Sequence, residues 1–322
     1  MLRGGFRNGS ARSDGVGSEM GRRGATGWVP KWVGAERRGG FQKAAWKFTA
    51  CGGVGSGYNL SMPAYSATAI VLLRRHFSET DNILTLYSPE IGRFSAIAKG
   101  ARKPISRLSG ATELLTCTRF GLASGKSLEI VTQVEVLESF PALRHELPRL
   151  AHGLYLADLL NHSVEDHAPS PELFELLRSG LRQLETLSPP ELAARWFEVQ
   201  LLGDLGYAPN LFECSACRIP VPGNFAREET FALSISQGGA LCPLHAHPET
   251  NEDHSPLGTG ALRLLQTLEA LGPGGGADLA ALPAVGPRSL DQARLALRRS
   301  LRVHLERDMK SLEFLDSLRN SA

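Results

Sequence analysis

The sequence of 322 residues lacks any apolar run that approaches the ~20 residues of a membrane-spanning helix, although 42% of its residues are apolar. Its five cysteines are few, odd in number and without the spacing of a disulfide framework. That usage argues against a disulfide-stabilised secreted protein and favours a reducing compartment. The first 61 residues also lack the apolar segment of a secretory signal peptide.

Motifs of the common enzyme classes are missing as well. The chain has no Gly-x-Ser-x-Gly, no His-Glu-x-x-His and no dinucleotide-binding fingerprint after a strand. The stretch 121–127 imitates a phosphate-binding loop, but three residues separate Gly121 from Gly125 where four are needed. It also leads into a predicted strand instead of a helix, so we interpret it as a hairpin turn. We therefore expect no enzyme and no catalytic residues.

Residues 1–61 differ from the rest of the chain in composition. They hold 15 of the 34 glycines and ten Lys or Arg against three Asp or Glu, whereas residues 62–322 carry a net charge of −5. A segment so poor in apolar residues cannot offset the entropy of ordering, so we predict disorder. An over-long gene start, with Met62 as the first residue, explains it more simply than a transit peptide, because the glycines disfavour an amphipathic helix.

The next part reads as a small all-β domain. Five stretches rich in Val, Ile, Leu, Thr and aromatics are bounded by Gly, Pro, Ser or Asp, and they cover 66–75, 80–88, 92–99, 111–121 and 126–138. In the last, Val134 and Val136 fall on one face and Gln133 and Glu135 on the other. Five strands in this length favour a closed barrel of the OB-fold type for residues 62–140.

From about residue 145 the apolar period becomes helical. Ser170 before Pro171 predicts a helix start, and Ser188 with Glu191 fits a capping box. Further helices are expected near 257–271 and from Ser289 onward, and one short strand at 230–235. The leucines expected in the core are Leu147, Leu150, Leu154, Leu173, Leu177, Leu181, Leu184, Leu290, Leu297, Leu301, Leu305, Leu312, Leu315 and Leu318. The predicted class is thus α+β, with a helical domain over 141–322.

The strongest motif interrupts the helices. Cys214 and Cys217 are followed, after 24 residues, by Cys242 and His245, and each pair has two intervening residues. Three thiolates and one imidazole close a tetrahedral zinc site, and a closed set of four ligands indicates one structural Zn²⁺ in a knob at 212–247. His247 or His254 is the alternative to His245 as the fourth ligand. A catalytic zinc in a hydrolase or deaminase is the less favoured reading, because no general base accompanies the motif.

Residues 92–107 carry five basic side chains and no acid. Lys and Arg on a barrel surface neutralise phosphates, and an aromatic ring there can stack on bases. The track predicted to bind DNA comprises Arg74, Arg75, Arg93, Phe94, Lys99, Arg102, Lys103, Arg107, Arg119 and Lys126. The competing interpretation is an ordinary solvated rim with Phe94 in the core.

Several segments together resemble the bacterial recombination mediator family RecO. In the barrel they are Ala69-Ile-Val-Leu72, Phe77-Ser-Glu-Thr80, Gly92-Arg93-Phe94 and Lys99-Gly-Ala-Arg102-Lys103; in the helical part they are Pro171-Glu-Leu-Phe174, Leu205-Gly-Tyr207-Ala-Pro209 and the Cys-x-x-Cys pair. The likeness covers roughly 66–320. Some relatives have four cysteines at the knob, whereas this chain has Cys242 and His245 as its second pair.

The resemblance implies an OB-fold barrel, a helical domain with a zinc knob and no enzymatic turnover. It further implies binding of single- and double-stranded DNA, annealing of complementary strands, cooperation with RecR in loading RecA onto gapped DNA coated by the single-strand binding protein SSB, and a cytoplasmic, nucleoid-associated location. The family binds the acidic, apolar C-terminal tail of SSB; Arg298, Arg299 or Arg302 could serve such a ligand, but no motif in the sequence assigns the site to any of them. A generic RNA-binding OB-fold protein is the main alternative.

Overall fold

The computed structural model describes residues 64–221, 229–247, 251–273, 279–305 and 309–320. These residues belong to one compact unit that spans Leu60–Ala322. The predicted disorder of residues 1–61 lies outside the described part. Among the described residues, no helix is both long and apolar enough to cross a bilayer.

Five strands form the predicted barrel. They are β1 (Ala64–His76), β2 (Asn82–Ser88), β3 (Gly92–Ala98), β4 (Cys117–Ala123) and β5 (Glu129–Glu138), and they close in the order β1-β2-β3-β5-β4. All neighbours are antiparallel except β3 and β5, whose parallel contact closes the ring at Ala96 and Glu129. The α+β class and the OB-fold are confirmed.

Alternation along the strands fills the barrel. In β3 every second residue from Gly92 to Ala98 is buried, and inward-facing Phe94 lies opposite Leu86 of β2. The interior is packed by Ala67, Ala69, Val71, Leu84, Leu86, Phe94, Ala96, Ala98, Ala101, Phe120, Leu122 and Val131. Small residues beside two phenylalanines suit an interior just wide enough for side chains.

Two details of the barrel differ from expectation. Residues 111–116 were predicted to open the fourth strand, but a short helix α1 (Leu108–Ala111) precedes it and the strand begins only at Cys117. In β5 the pairing with β4 shifts between Gly121 and Leu122, which lie opposite Gln133 and Val131. This bulge reverses the alternation, so Val131 before it and Val134 after it both pack against the barrel core. Val136, further along the strand, is 45% exposed.

The helical part comprises seven helices in the described residues after the barrel. They are α2 (Pro141–His145), α3 (Leu147–Ser163), α4 (Pro171–Thr186), α5 (Pro190–Asp204), α6 (Thr259–Ala270), α7 (Pro287–Leu305) and α8 (Lys310–Asn320). A single 3₁₀ turn (Leu279–Ala281) precedes α7. The predicted stripe on α4 is buried, from Leu173 through Leu177 and Leu181 to Leu184. Leu147 is the exception to the predicted core, because 51% of it is exposed at the start of α3.

The helix caps follow the sequence only in part. The side chain of Ser170 accepts a hydrogen bond from the Leu173 N–H at 3.2 Å, as predicted for α4. Ser188 does not cap α5; Pro189 occupies the cap position and no side chain caps the helix. The predicted capping box is therefore wrong. Because α5 begins at Pro190, the cap position falls on Pro189 and Ser188 lies one residue too early to cap the helix.

A second small sheet separates α5 from α6. The predicted strand at 230–235 is confirmed as β6 (Thr230–Ser234), and it lies between β7 (Gly239–Leu241) and β8 (His254–Gly258). The last two strands were not predicted. Their sequences are short and contain glycine or proline, so they carry no strand signal of their own.

The barrel is fastened to the helices by ion pairs as well as by apolar packing. Glu138 at the end of β5 accepts hydrogen bonds from the Nε atoms of Arg178 at 2.5 Å and Arg182 at 2.7 Å, both on α4. Burial alone would raise the pKa of Glu138, but the two guanidinium groups hold it below 4.5. Beside them, outward-facing Ile70, Leu72 and Tyr87 of the barrel join the apolar core of the helical part.

Replacement of Glu138 by Gln is expected to lower the melting temperature at pH 7, because two guanidinium groups lose their carboxylate. A depressed folded pKa contributes stability that is present above the unfolded value near 4.5 and is lost as pH falls through the folded value. The difference in melting temperature between the native chain and the Glu138→Gln variant should thus become smaller below pH 4.5. Glu135→Gln is the control, because that carboxylate is 63% exposed in its pair with Arg119. A melting-temperature difference that stays the same at low pH would contradict the stabilising role of the ionised Glu138 carboxylate.

Candidate nucleic-acid interface and metal site

Four of the predicted DNA-binding cations lie on one loop at one end of the barrel. Residues 99–107 connect β3 to α1, and residues 77–81 connect β1 to β2. The end of β1, the start of β2 and the end of β3 are adjacent in the sheet, because Arg75 lies opposite Ile83 and Ile83 lies opposite Ile97. The register therefore places the two loops side by side. We refer to residues 77–81 and 99–107 as the cationic loop pair.

Hydrogen bonds hold the two loops together. Asp81 accepts the Gly100 N–H at 2.8 Å, and Arg102 donates its backbone N–H to the Thr80 carbonyl at 3.0 Å. The Arg102 side chain also donates to the Ser78 carbonyl at 2.9 Å. Gly100 has φ +68°, which favours glycine at this turn. The Gly100 N–H and the Thr80 hydroxyl lower the pKa of Asp81, so its carboxylate stays ionised as an anchor of the pair.

The cations of the cationic loop pair point to solvent. Lys99, Arg102, Lys103 and Arg107 are all exposed. Within the part of the chain that the structure describes, no carboxylate lies within 4.0 Å of their charged groups. Arg75 is exposed at the adjacent end of β1, while Arg74 is half-buried and pairs with Glu113 at 2.6 Å. Exposed cations without a carboxylate partner retain their charge for a phosphate.

The other predicted cations lie elsewhere on the barrel. Arg93, at the opposite end of β3 from Lys99, pairs with Asp166 at 2.6 Å and donates to the Asn161 carbonyl. Arg119, in the middle of β4, pairs with Glu135 at 2.6 Å. Lys126 lies in the β4–β5 loop and lines a cleft that is also lined by Ser95 and His167. The structure thus does not bring all ten residues into one track.

Phe94 requires a correction. Its side chain is only 2% exposed and belongs to the barrel interior. It is therefore not available to stack on bases, and the competing interpretation of Phe94 as a core residue is right. The alternating burial of β3 explains this, because the residue faces inward between Arg93 and Ser95.

Two exposed apolar residues of the cationic loop pair were missed. Phe77 is 62% exposed and Ile105 is 97% exposed. Both lie in loop segments that the sequence marks by Ser, Gly and Pro, where an apolar side chain has no core to enter. A large apolar residue in such a polar loop is the sequence signal that indicates surface exposure.

The structure brings the four predicted metal ligands together. The ligand atoms of Cys214, Cys217, Cys242 and His245 all lie within 4.8 Å of one another. The Sγ atoms of Cys217 and Cys242 are 3.9 Å apart, and the Cys214 Sγ lies 3.8 Å from the His245 Nδ1. Sulfurs ~2.3 Å from a tetrahedral ion would be ~3.7 Å apart, so the donor set fits such an ion. Neither His247 nor His254 belongs to the cluster.

The backbone prepares Cys214 to act as a thiolate. Burial raises the pKa of its thiol, but the N–H groups of Cys242, Cys217 and Ala216 outweigh this and lower it from 9.0 to about 6. The Cys242 N–H lies 3.4 Å from the Cys214 sulfur. Metal-binding cysteines must be deprotonated, so this arrangement favours a bound cation.

The knob is held against the second sheet by backbone contacts. Ser215 donates its N–H to the Ala240 carbonyl at 2.9 Å, and Ala240 donates to the Asn210 carbonyl at 2.7 Å. A side chain at Gly239 would meet the Asn210 carbonyl oxygen at 2.3 Å, so the approach of the two segments requires glycine. The strand β7, which the sequence did not reveal, therefore positions both halves of the ligand set.

Fold and site together define an OB-fold protein with a metal-binding knob in a helical domain and a cationic loop pair at one end of its barrel. Comparison with known families agrees with this description. The model "Recombination protein O N terminal" matches residues 62–140, and "Recombination protein O C terminal" matches residues 144–313. The chain belongs to the RecO family.

Relatives of known name share most of their length with this chain. A DNA repair protein RecO of Pelotomaculum thermopropionicum is 40% identical over 255 residues, which cover 79% of this chain and 94% of the relative. One of Roseiflexus sp. is 36% identical over 79% of this chain and 86% of the relative. One of Heliobacterium modesticaldum is 38% identical over 81% of this chain and 92% of the relative. The family places the chain among the DNA repair proteins of recombination.

Replacement of Cys242 by Ser is expected to abolish stoichiometric metal binding, because it removes one of four convergent donors. Metal analysis of the purified protein by inductively coupled plasma mass spectrometry measures this. His245→Ala should show the same loss, whereas His247→Ala should keep about one ion per chain. Retention of metal in both ligand variants would contradict the site, as would its loss in the His247 variant alone.

Proposed function

We propose that this protein is a non-enzymatic mediator of DNA repair and homologous recombination that binds single- and double-stranded DNA through the cationic loop pair. The observation that carries the proposal is the exposure of Lys99, Arg102, Lys103 and Arg107 on one loop, which hydrogen bonds fix to its neighbour. Phosphates bind such a surface without regard to sequence. Membership of the RecO family supports the same reading.

Strand annealing follows from this surface without bond chemistry. Two complementary strands repel each other through their phosphates, and cations placed between them lower that repulsion. The loop pair is anchored through Asp81 and Arg102, so its charges are presented without a further cost of ordering the loop. Specificity is expected for the backbone, not for the base sequence.

The quadruple variant in which Lys99, Arg102, Lys103 and Arg107 become Ala should bind DNA more weakly and with less dependence on salt. The slope of log K against log salt is negative, and each lost phosphate contact makes it less steep by about 0.7 on a single strand. The loss of four contacts therefore reduces the magnitude of the slope by up to about 3. Fluorescence anisotropy with a labelled oligonucleotide between 50 and 200 mM salt measures the slope.

A variant with Arg288 and Lys310 changed to Ala serves as the control, because both are exposed cations of the helical part. Its salt slope should equal that of the native chain. Circular dichroism checks that the quadruple variant keeps its fold. An unchanged affinity and slope in a folded quadruple variant would overturn the proposed interface.

We further propose that the metal is one Zn²⁺ with a structural role. Three thiolates and one imidazole fill a tetrahedron and leave no position for water or substrate. The bound ion would join residues 214–217 to 242–245, on either side of β6 and β7. A cobalt-substituted protein should show a closed tetrahedral spectrum that inhibitors of zinc hydrolases do not alter; an exchangeable water would instead favour a hydrolase or deaminase.

The proposed partners are RecR and the C-terminal tail of SSB, with RecA loading on gapped DNA as the outcome and the cytoplasmic nucleoid as the location. For the acidic tail, Arg298 is already paired with Asp316 at 2.7 and 2.9 Å. Arg299 is half-buried and Arg302 exposed on the same helix, beside exposed Val303. A pull-down with an SSB tail peptide should retain the protein, and a peptide without its terminal Phe should not.

A generic RNA-binding role is the second candidate, because an OB-fold barrel with a cationic loop accepts either nucleic acid. Competition between single-stranded DNA and RNA of the same sequence separates the two. Preference for RNA together with no retention by the SSB tail would favour the alternative.

A further inference from the structure

Phe77 occupies an unusual position for a phenylalanine. Phe77 is 62% exposed on the short loop between β1 and β2. Its backbone is fixed, because its N–H donates to the Asp81 carbonyl at 3.1 Å. The turn therefore fixes the backbone of a residue whose ring is exposed on the loop pair.

The cations lie on residues 99–107, the loop that is hydrogen-bonded to the loop carrying Phe77. Arg102 donates its backbone N–H to the Thr80 carbonyl and its side chain to the Ser78 carbonyl, which directly follows Phe77. Lys103 lies one residue further, in a turn that its own N–H makes with the Gly100 carbonyl at 3.2 Å. Ile105, 97% exposed, extends the apolar surface of the same turn. An exposed aromatic ring and two exposed cations thus belong to the same bonded pair of loops.

Acidic side chains on the loop pair do not cancel this arrangement. Asp81 turns its carboxylate to the Gly100 N–H and the Thr80 hydroxyl, at 2.8 Å each. Glu79 is exposed and is the remaining carboxylate of the pair. The loop pair therefore keeps an excess of positive charge beside an apolar ring, which is complementary to a polyanion that carries exposed flat bases.

We infer that Phe77 is the base-stacking platform of the cationic loop pair and that it makes this site selective for unpaired bases. The inference rests on the proposed function, since it assigns a ligand class to the same surface. An unpaired base can lay its face on the ring while its flanking phosphates meet Arg102 and Lys103. A base in a duplex is stacked on its neighbours, so double-stranded DNA reaches only the cations.

The contributions of the cations and of the stacking ring to DNA affinity can be told apart, because only the former depends on salt concentration. Loss of a cation changes the number of released counterions, whereas loss of a stacking ring changes affinity at every salt concentration alike. Phe77→Ala should therefore weaken binding to a short oligothymidine by roughly 5-fold or more and leave the salt slope unchanged. Binding to a duplex of equal length should change by less than about twofold. Phe77→Trp should retain the native affinity for the single strand.

Phe212→Ala is the matched control, because that phenylalanine is 49% exposed on the metal-binding knob. It should bind both DNAs as the native chain does. Anisotropy titrations of all variants on both ligands, beside the quadruple cation variant, complete the test. In the tryptophan variant, quenching of its fluorescence by oligothymidine but not by duplex reports the stacking directly.

The outcomes distinguish the inference from the proposed function. If Phe77→Ala binds the oligothymidine like the native chain while the quadruple variant loses affinity, the platform is wrong and the interface stands. An equal loss on both DNAs would assign Phe77 to loop structure and also overturn the platform. If the quadruple variant binds normally and Phe77→Ala does too, both the interface and the platform fail.

Discussion

Barrel closure between β3 and β5 is the constraint on which the rest of the structure depends. The pairing is parallel and short, Ala96 with Glu129 and Ile97 with Ile130, yet it joins the ends of the sheet. A closed sheet has no free edge, and its alternation is then fixed all the way round. Closure encloses Phe94 in the barrel interior, whereas the antiparallel register of β1, β2 and β3 sets the end of β3 beside the loop between β1 and β2. The cationic loop pair depends on both.

The helical part stabilises the barrel from outside and adds a second, independent constraint. Glu138 binds two arginines of α4, and Arg93 binds Asp166 in the segment after α3. The charged side chains at this junction are therefore already paired with one another. The loop pair differs because its anchor uses Asp81 and backbone groups, and Lys99, Lys103 and Arg107 form no salt bridge among the described residues. Which cations are free for DNA is therefore decided by the packing of the whole chain. The metal site, by contrast, joins two segments of one knob.

The sequence predicted those features that depend on local pattern. The five barrel strands, the leucine stripe of α4, the cap at Ser170 and the four metal ligands follow from alternation, helical period or ligand spacing. Features decided by distant contacts were missed. The bulge that turns Val131 inward is set by pairing with β4, the strands β7 and β8 form only against β6, and Arg93 is paired by a residue 73 positions away. Phe94 was predicted to contact DNA because basic residues surround it in the sequence. The alternation of its own strand instead turns its side chain into the barrel interior.

The central claim is that DNA contacts the cationic loop pair, and hydrogen–deuterium exchange tests it most directly. The exchange of backbone amides is measured by mass spectrometry with and without saturating oligothymidine. Added protection is predicted in peptides that cover 77–81 and 99–107, with little change in those that cover 214–217 and 242–245. Protection confined to the knob or to α7, with the two loops unchanged, would contradict the account.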